Sequence, residues 1–255
     1  MSLRREKMKA VFELTKIQFK VTLRNFMVTF FSIVFPTLML LMFGGIYGNK
    51  PTPFFGGYGT IDVMLPSYIG ITIAVTGFMN LPLTISEYRE RKILKRFRAT
   101  PIKTYYIIVS QIISNFIMVL FGLLVLVIVG KIVFNVHYLA NGPSFILFLL
   151  LSIFSMFSIG FLIASVAKNA SSATAIANLV YFPMLFLTGA TIPIETFPKF
   201  MVKISKFLPL TYVVHLLKNT WLGTGASIRT DIIVLLSVMI VSFIISLITF
   251  KWEYD

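Results

Sequence analysis

Six stretches of about twenty mostly apolar residues, parted by short polar breaks, constrain this chain more than anything else in it. Each is long enough to cross a bilayer as a helix. Only helices and closed barrels satisfy their own backbone there. The predicted spans are Phe26–Tyr47, Val63–Ile85, Tyr105–Val133, Pro143–Ala167, Ala173–Ile192 and Asp231–Phe250. The expected fold class is therefore all-α integral membrane, with six transmembrane helices. Composition agrees: 13% of the 255 residues are charged, about half the share in a soluble domain. No polar stretch is long enough to fold separately, so one membrane domain is expected over 1–255. The absence of cysteine excludes a disulfide framework and a thiolate metal site.

The segments between spans have their own signatures. Residues 1–25 carry an amphipathic pattern: Met8, Val11, Phe12, Thr15, Phe19, Leu23 and Phe26 share one helix face. Lys9, Glu13, Lys16, Lys20 and Arg24 share another. Such a helix lies in the membrane interface, apolar side down, or packs on another subunit. No A-x-A-like cleavage site follows a short apolar core, so a signal peptide is not expected. Pro36 and Pro183 predict kinks in the first and fifth spans. Gly160 and Ala164 offer a small surface for close helix contact. Residues 193–229 are divided by Pro193, Pro198 and Pro209 into pieces too short to span, and read as broken helices on the outer face.

Placement of charge gives the orientation. The formal net charge is +14. Of 23 basic residues, 14 lie in Met1–Asn25 and Glu87–Lys103, each beside a span. That placement suits anionic lipid headgroups and argues against nucleic acid as a partner. With the N-terminus inside, 16 basic residues fall on the inner side and 7 on the outer. The expectation is a multi-pass protein of the cell membrane with both termini cytoplasmic.

The most charged run, Ser86–Pro101, sits between the second and third spans. Ser86 is placed to cap a short helix, with Glu87 and Glu90 in its first turn. Glu87 and Arg91 are spaced to pair, and Lys95, Arg96 and Arg98 suit the helix's negative end. Ile93, Leu94 and Phe97 form a small apolar patch. Two readings fit: a solvated loop obeying the positive-inside rule, or a helix that docks a cytoplasmic partner. In the second, Glu87, Arg89, Glu90, Arg91, Leu94, Lys95, Arg96 and Arg98 carry the contact.

The spans hold neutral polar side chains rather than charges. Tyr68, Thr72, Thr76, Asn80 and Thr84 recur at every fourth residue of the second span. Ser171, Thr174, Asn178, Tyr181 and Thr188 share one face of the fifth. These residues either bond helix to helix or line a route for an amphipathic substrate. On the route reading, its residues are Tyr68, Thr72, Thr76, Asn80, Asn178, Tyr181 and Thr188. No acid or base lies near a span centre, which argues against a proton relay. No phosphate-binding loop is present: Gly44–Lys50 is glycine-rich but misses the spacing. His137 and His215 sit in no metal or nucleophile pattern. No catalytic residue, metal site or resident cofactor is expected in the chain.

The order of parts, with E-Y-R-E-R-K-I-L-K-R-F-R-A-T-P-I at Glu87–Ile102, resembles the membrane subunit of a type-2 ABC exporter of the drug-resistance permease kind. The matching positions are Arg89, Glu90, Leu94, Lys95, Arg96 and Pro101. A second match is Phe207-Leu208-Pro209-Leu210-Thr211-Tyr212-Val213-Val214. Tyr88 and Leu208 depart from the residues common at their places, and His215 stands where an acid is common. The resemblance implies that 86–101 is a coupling helix. It implies a partner: a cytoplasmic ABC ATPase subunit, in two copies, holding ATP and magnesium. It also implies a second copy of this or a similar permease. The cargo would be a hydrophobic or amphipathic compound such as a drug, antibiotic or lipid. Open alternatives are a polysaccharide or lipid-linked glycan exporter, a channel, or a non-transport membrane component.

Overall fold

The computed structural model describes residues 2–93, 95, 105–138 and 142–251. Helix α1 is Ser2–Arg24. Six helices among the described residues are long and apolar enough to cross a membrane. They are α2 (Phe26–Tyr47), α3 (Thr60–Glu90), α4 (Tyr105–Phe134), α5 (Gly142–Val166), α6 (Ala170–Leu187) and α9 (Arg229–Thr249). Between the last two lie α7 (Lys199–Ser205) and α8 (Pro209–Leu222), bent by 96°. The protein is an all-α integral membrane fold.

Helix α3 is the axis of the bundle: 83% of its apolar window is buried, against 17–50% for the other five. Helices α2, α4, α5, α6 and α8 all pack on it. The others show large apolar side chains outward, Leu179, Ile248 and Ile132 among them, as lipid-facing helices do. Where α3 and α5 cross, Gly160 meets the Gly77 backbone so closely that a Cβ on Gly160 would collide with the Gly77 carbonyl oxygen. The small-residue surface expected at Gly160 is therefore in use.

Two of the prolines within spans, Pro36 and Pro82, are each preceded by a π-turn. Phe30–Val34 precedes and leads into Pro36, and Thr76–Asn80 leads into Pro82. Proline lacks the N–H for its helical bond and crowds the carbonyl four residues back; a wider turn accommodates both.

Several boundaries differ from expectation. The second span continues through Ser86 to Glu90, and Ser86 is a buried helix residue, not a cap. Nothing in Ile85–Glu90 breaks a helix; the turn comes at Arg91 and at Lys92, whose φ is +55°. The fifth span ends at Leu187 rather than Ile192, because Gly189 takes φ +80° and turns the chain out of the helix. Trp252–Asp255 lie outside the described residues.

Helix α1 lies along α4. Phe12 is 67% exposed, as a lipid-facing side chain would be. The buried stripe, however, is Thr15, Gln18 and Thr22, a polar seam rather than the apolar face. Thr15 was grouped with the apolar face, and Gln18 with neither; the signal was a polar residue every three or four positions.

The segment before the last span is broken into the two short helices α7 and α8. Trp221 of α8 meets Tyr138 and Phe145 edge-on, with ring centroids 4.8 and 5.5 Å apart. Lys218 Nζ donates to Glu195 Oε1 at 2.6 Å. Burial acts to raise the Glu195 carboxyl, but the hydrogen bond and charge of Lys218 prevail and hold it below the usual carboxylate range. A lowered carboxyl contributes stability above its unfolded value and loses it as pH falls through the folded one. Hydrogen exchange should therefore show the opening free energy of Pro209–Leu222 falling on acidification across that range. Glu195→Gln should flatten the fall.

Candidate functional site

The α3 end beyond Ile85 is where charge meets the membrane helices. Arg89 is 5% exposed. Its Nη1 donates to the Ala167 carbonyl at 2.8 Å and its Nη2 to the Ala164 carbonyl at 3.1 Å. These oxygens close the C-terminal end of α5, where the helix dipole is negative and carbonyls lack helical partners. The guanidinium also lies over the Phe250 ring, 5.0 Å from its centroid, just past α9.

The next residue does the converse. Glu90 Oε2 accepts from the Ala170 N–H at 3.0 Å, at the positive end of α6. That end also carries a capping box formed by Asn169 and Ser172. Two adjacent residues of opposite charge thus grip the two ends of one short connection, from Ala167 to Ala170. Through Phe250 the same grip reaches α9. Ser165 and Thr249, 2.7 Å apart, join α5 to α9 beside it.

The rest of the charged run is arranged differently. Glu87 is half-buried, and no side-chain ion pair joins it to Arg91 among the described residues. The helix ends between them in orientation: only the backbone bond from Arg91 N–H to the Glu87 carbonyl forms, at 2.9 Å. Arg91, Lys92 and Lys95 are exposed. Leu94, Arg96, Arg98, Thr100 and Pro101 lie outside the described residues.

The second-span stripe is enclosed within one chain. Tyr68, Thr72 and Thr76 are fully buried and Asn80 is 2% exposed. Thr72 Oγ1 donates to the Ser32 carbonyl of α2 at 2.9 Å. Thr76 bonds the Thr72 carbonyl at 2.8 Å. Asn80 Nδ2 donates to Asn115 Oδ1 of α4 and approaches Thr22 Oγ1 of α1 at 3.5 Å. Thr72 and Asn80 thus bond neighbouring helices, while Thr76 bonds its own. On the fifth span, Thr188 bonds its own helix at the Met184 carbonyl, 2.6 Å away. The Tyr181 hydroxyl and Asn178 Oδ1 are buried without partners. So the two faces differ: one is satisfied by neighbouring helices, the other holds unfilled polar atoms.

Each histidine stands beside a buried acid, a feature not read from the sequence. His215 Nδ1 is 2.7 Å from Asp231 Oδ2. The His137 N–H donates to Asp62 Oδ1 at 2.9 Å. Asn49 bonds the same oxygen and caps α3 by accepting from the Ile61 and Asp62 N–H groups at 2.9 and 3.0 Å. Asp62 is 75 residues from His137, and no local pattern signals such a pair. Both acids occupy first turns of their helices, where the dipole favours them. No group of three metal-ligating side chains occurs among the described residues.

The chain belongs to the ABC-2 type transporter family, whose pattern matches residues 9–222. It is 24% identical over 163 residues to a probable multidrug ABC transporter permease, YbhS, of Escherichia coli K12. That match covers 63% of this chain and 43% of the relative, so the chain spans less than half the relative's length. It is 25% identical over 207 residues to a putative transport permease, ycf38, of Porphyra purpurea, covering 79% of this chain and 70% of that one. A 90-residue stretch is 33% identical to nodulation protein J of Rhizobium leguminosarum bv. viciae, 35% of each chain.

Proposed function

We propose that the chain is the transmembrane subunit of an ATP-driven exporter whose ATP is bound and hydrolysed, with magnesium, by a separate cytoplasmic ATPase subunit. Two such permeases pair and two ATPase subunits dock. The cargo is a hydrophobic or amphipathic compound carried out of the cell. The observation that carries this reading is the grip of Arg89 and Glu90 on Ala164, Ala167 and Ala170. A partner pushing on the exposed Arg91, Lys92 and Lys95 displaces the root of α3. That root is bonded to the ends of α5 and α6, so the push reaches three spans as one rigid shift. The residues beyond, Leu94, Arg96 and Arg98, complete the docking surface on this reading. In the transport route, Asn178 and Tyr181 offer unfilled polar atoms. Thr72 and Asn80 tie together the helices that flank it, and Tyr68, Thr76 and Thr188 bond within their own helices.

Reversing Arg91, Lys92 and Lys95 to Glu should abolish co-purification of the ATPase while the permease still inserts. Unchanged co-purification would remove the docking claim. Orientation follows from the basic end facing the cytoplasm. A cysteine at Thr224, in this cysteine-free chain, should react with an impermeant thiol reagent added to intact cells, and one at Ser171 should not.

A further inference from the structure

Where α1, α3 and α4 meet at the basic end, a small cavity of about 50 Å³ is lined by polar side chains. Two glutamines face it from different helices: Gln18 is 4% exposed and Gln111 is 1% exposed. Gln18 Nε2 makes a long bond to the Ile107 carbonyl, 3.4 Å, but its Oε1 has no partner. Neither amide atom of Gln111 has one. Behind them the Asn115 Nδ2 and Ser114 Oγ are also buried and unpartnered. Buried polar atoms without partners are costly, and a cluster of them around a void marks a place built to receive something polar.

The lining has a sign. Glu87 is its charged member, and no lysine or arginine contributes among the described residues. The Tyr88 ring stands beside it. A carboxylate, two amide oxygens and an aromatic face together favour a cation with several N–H donors. The volume admits a group the size of an ammonium or a few waters, not a larger body. Any larger body must lie outside. Val21 and Leu83 also line the cavity, and Val21 is 55% exposed, so an apolar body can rest there.

We infer that this cavity binds the primary ammonium head of an amphipathic amine, whose alkyl body rests on Val21 and Leu83 in the adjoining leaflet. The inference rests on the permease reading, and names the class of cargo and the point where it is first held. Asn80, one of the second-span residues, forms the cavity's inner wall, so the head sits against the helix that ends in the Arg89–Glu90 grip.

The test uses the full chain in phosphatidylcholine nanodiscs, titrated calorimetrically with dodecylammonium and corrected against empty nanodiscs. One saturable site per chain is expected. Dodecanol and dodecyl sulfate should bind at least about tenfold more weakly, since they lack the charge or reverse it. Glu87→Gln and Gln111→Leu should each weaken dodecylammonium by about tenfold. On the unaltered chain, an alkylamine bearing a diazirine near its head should cross-link at Val21 or Leu83, which keeps the test decisive if a variant folds poorly. Equal binding of dodecanol, or cross-links confined to other helices, would show a hydrated packing void and overturn the inference. Docking of the ATPase is measured separately: its loss would leave amine binding in place, and loss of amine binding would leave docking in place.

Discussion

Arg89→Ala should cost the membrane domain about 3 kcal/mol and abolish transport-coupled stimulation of the ATPase, the largest paired effect expected of any single change. The side chain supplies two charge-assisted hydrogen bonds to the end of α5 and a cation over Phe250. Truncation leaves the Ala164 and Ala167 carbonyls without that donor at a buried helix end. Arg89→Lys should recover part of the stability, because the charge remains near the negative helix end. It should not recover coupling, because an ammonium cannot reach two carbonyls in the fixed fork that a guanidinium presents. Glu90→Gln should be milder: the Ala170 N–H keeps an acceptor, and Asn169 and Ser172 still cap α6. Thermal unfolding in detergent, with ATP hydrolysis in the reconstituted complex, separates the two consequences. An Arg89→Ala protein with wild-type stability would show that the grip is incidental.

Gly160→Val should be as damaging for a different reason. At the crossing of α3 and α5, the backbone of Gly77 occupies the space a side chain at 160 would need. Because the obstacle is backbone, no rotamer change relieves it, and the two helices must separate. Overpacking of this kind costs about 3 kcal/mol or more when the obstruction cannot yield. Helix α3 is the most enclosed span, so its displacement disturbs every helix packed on it. Gly45, by contrast, has open space where its Cβ would stand. Gly45→Ala should be tolerated, with yield of folded protein close to wild type. Comparable losses at both positions would mean that the crossing is not the limiting contact.

What the sequence disclosed follows from which forces act locally. Six spans, their order and the broken segment before the last were legible, because bilayer crossing demands a continuous apolar run and proline breaks one. Gly160 was legible as a small surface, though its partner Gly77 was not, since pairing across 83 positions leaves no local trace. The charged run was legible as a unit, but its division was not. Arg89 and Glu90 read as members of a surface helix; the structure turns them back onto α5 and α6. Their opposite charges match two helix ends of opposite polarity, a logic visible only once those ends are adjacent. The polar stripe of the second span was correctly seen as a stripe. Its two possible uses were indistinguishable until Ser32, Asn115 and Thr22 supplied partners. Gln111 escaped notice because a single glutamine in an apolar helix carries no periodic signal, and Gln18 because the residues that repeat with it are threonines, Thr15 and Thr22. Asp62 and Asp231 escaped because an acid at a helix start looks like ordinary dipole matching.

The central claim is that this permease performs no ATP chemistry itself and takes its movement from a docked ATPase through the root of α3. It is tested most directly by measuring ATP hydrolysis and cargo efflux in proteoliposomes holding the permease alone, the ATPase with wild-type permease, and the ATPase with the Arg89→Ala permease. The account predicts neither activity from the permease alone, stimulated hydrolysis and efflux from the wild-type pair, and only basal, unstimulated hydrolysis without efflux from the Arg89→Ala pair. ATP hydrolysis by the permease alone, or full efflux with Arg89→Ala, would contradict it.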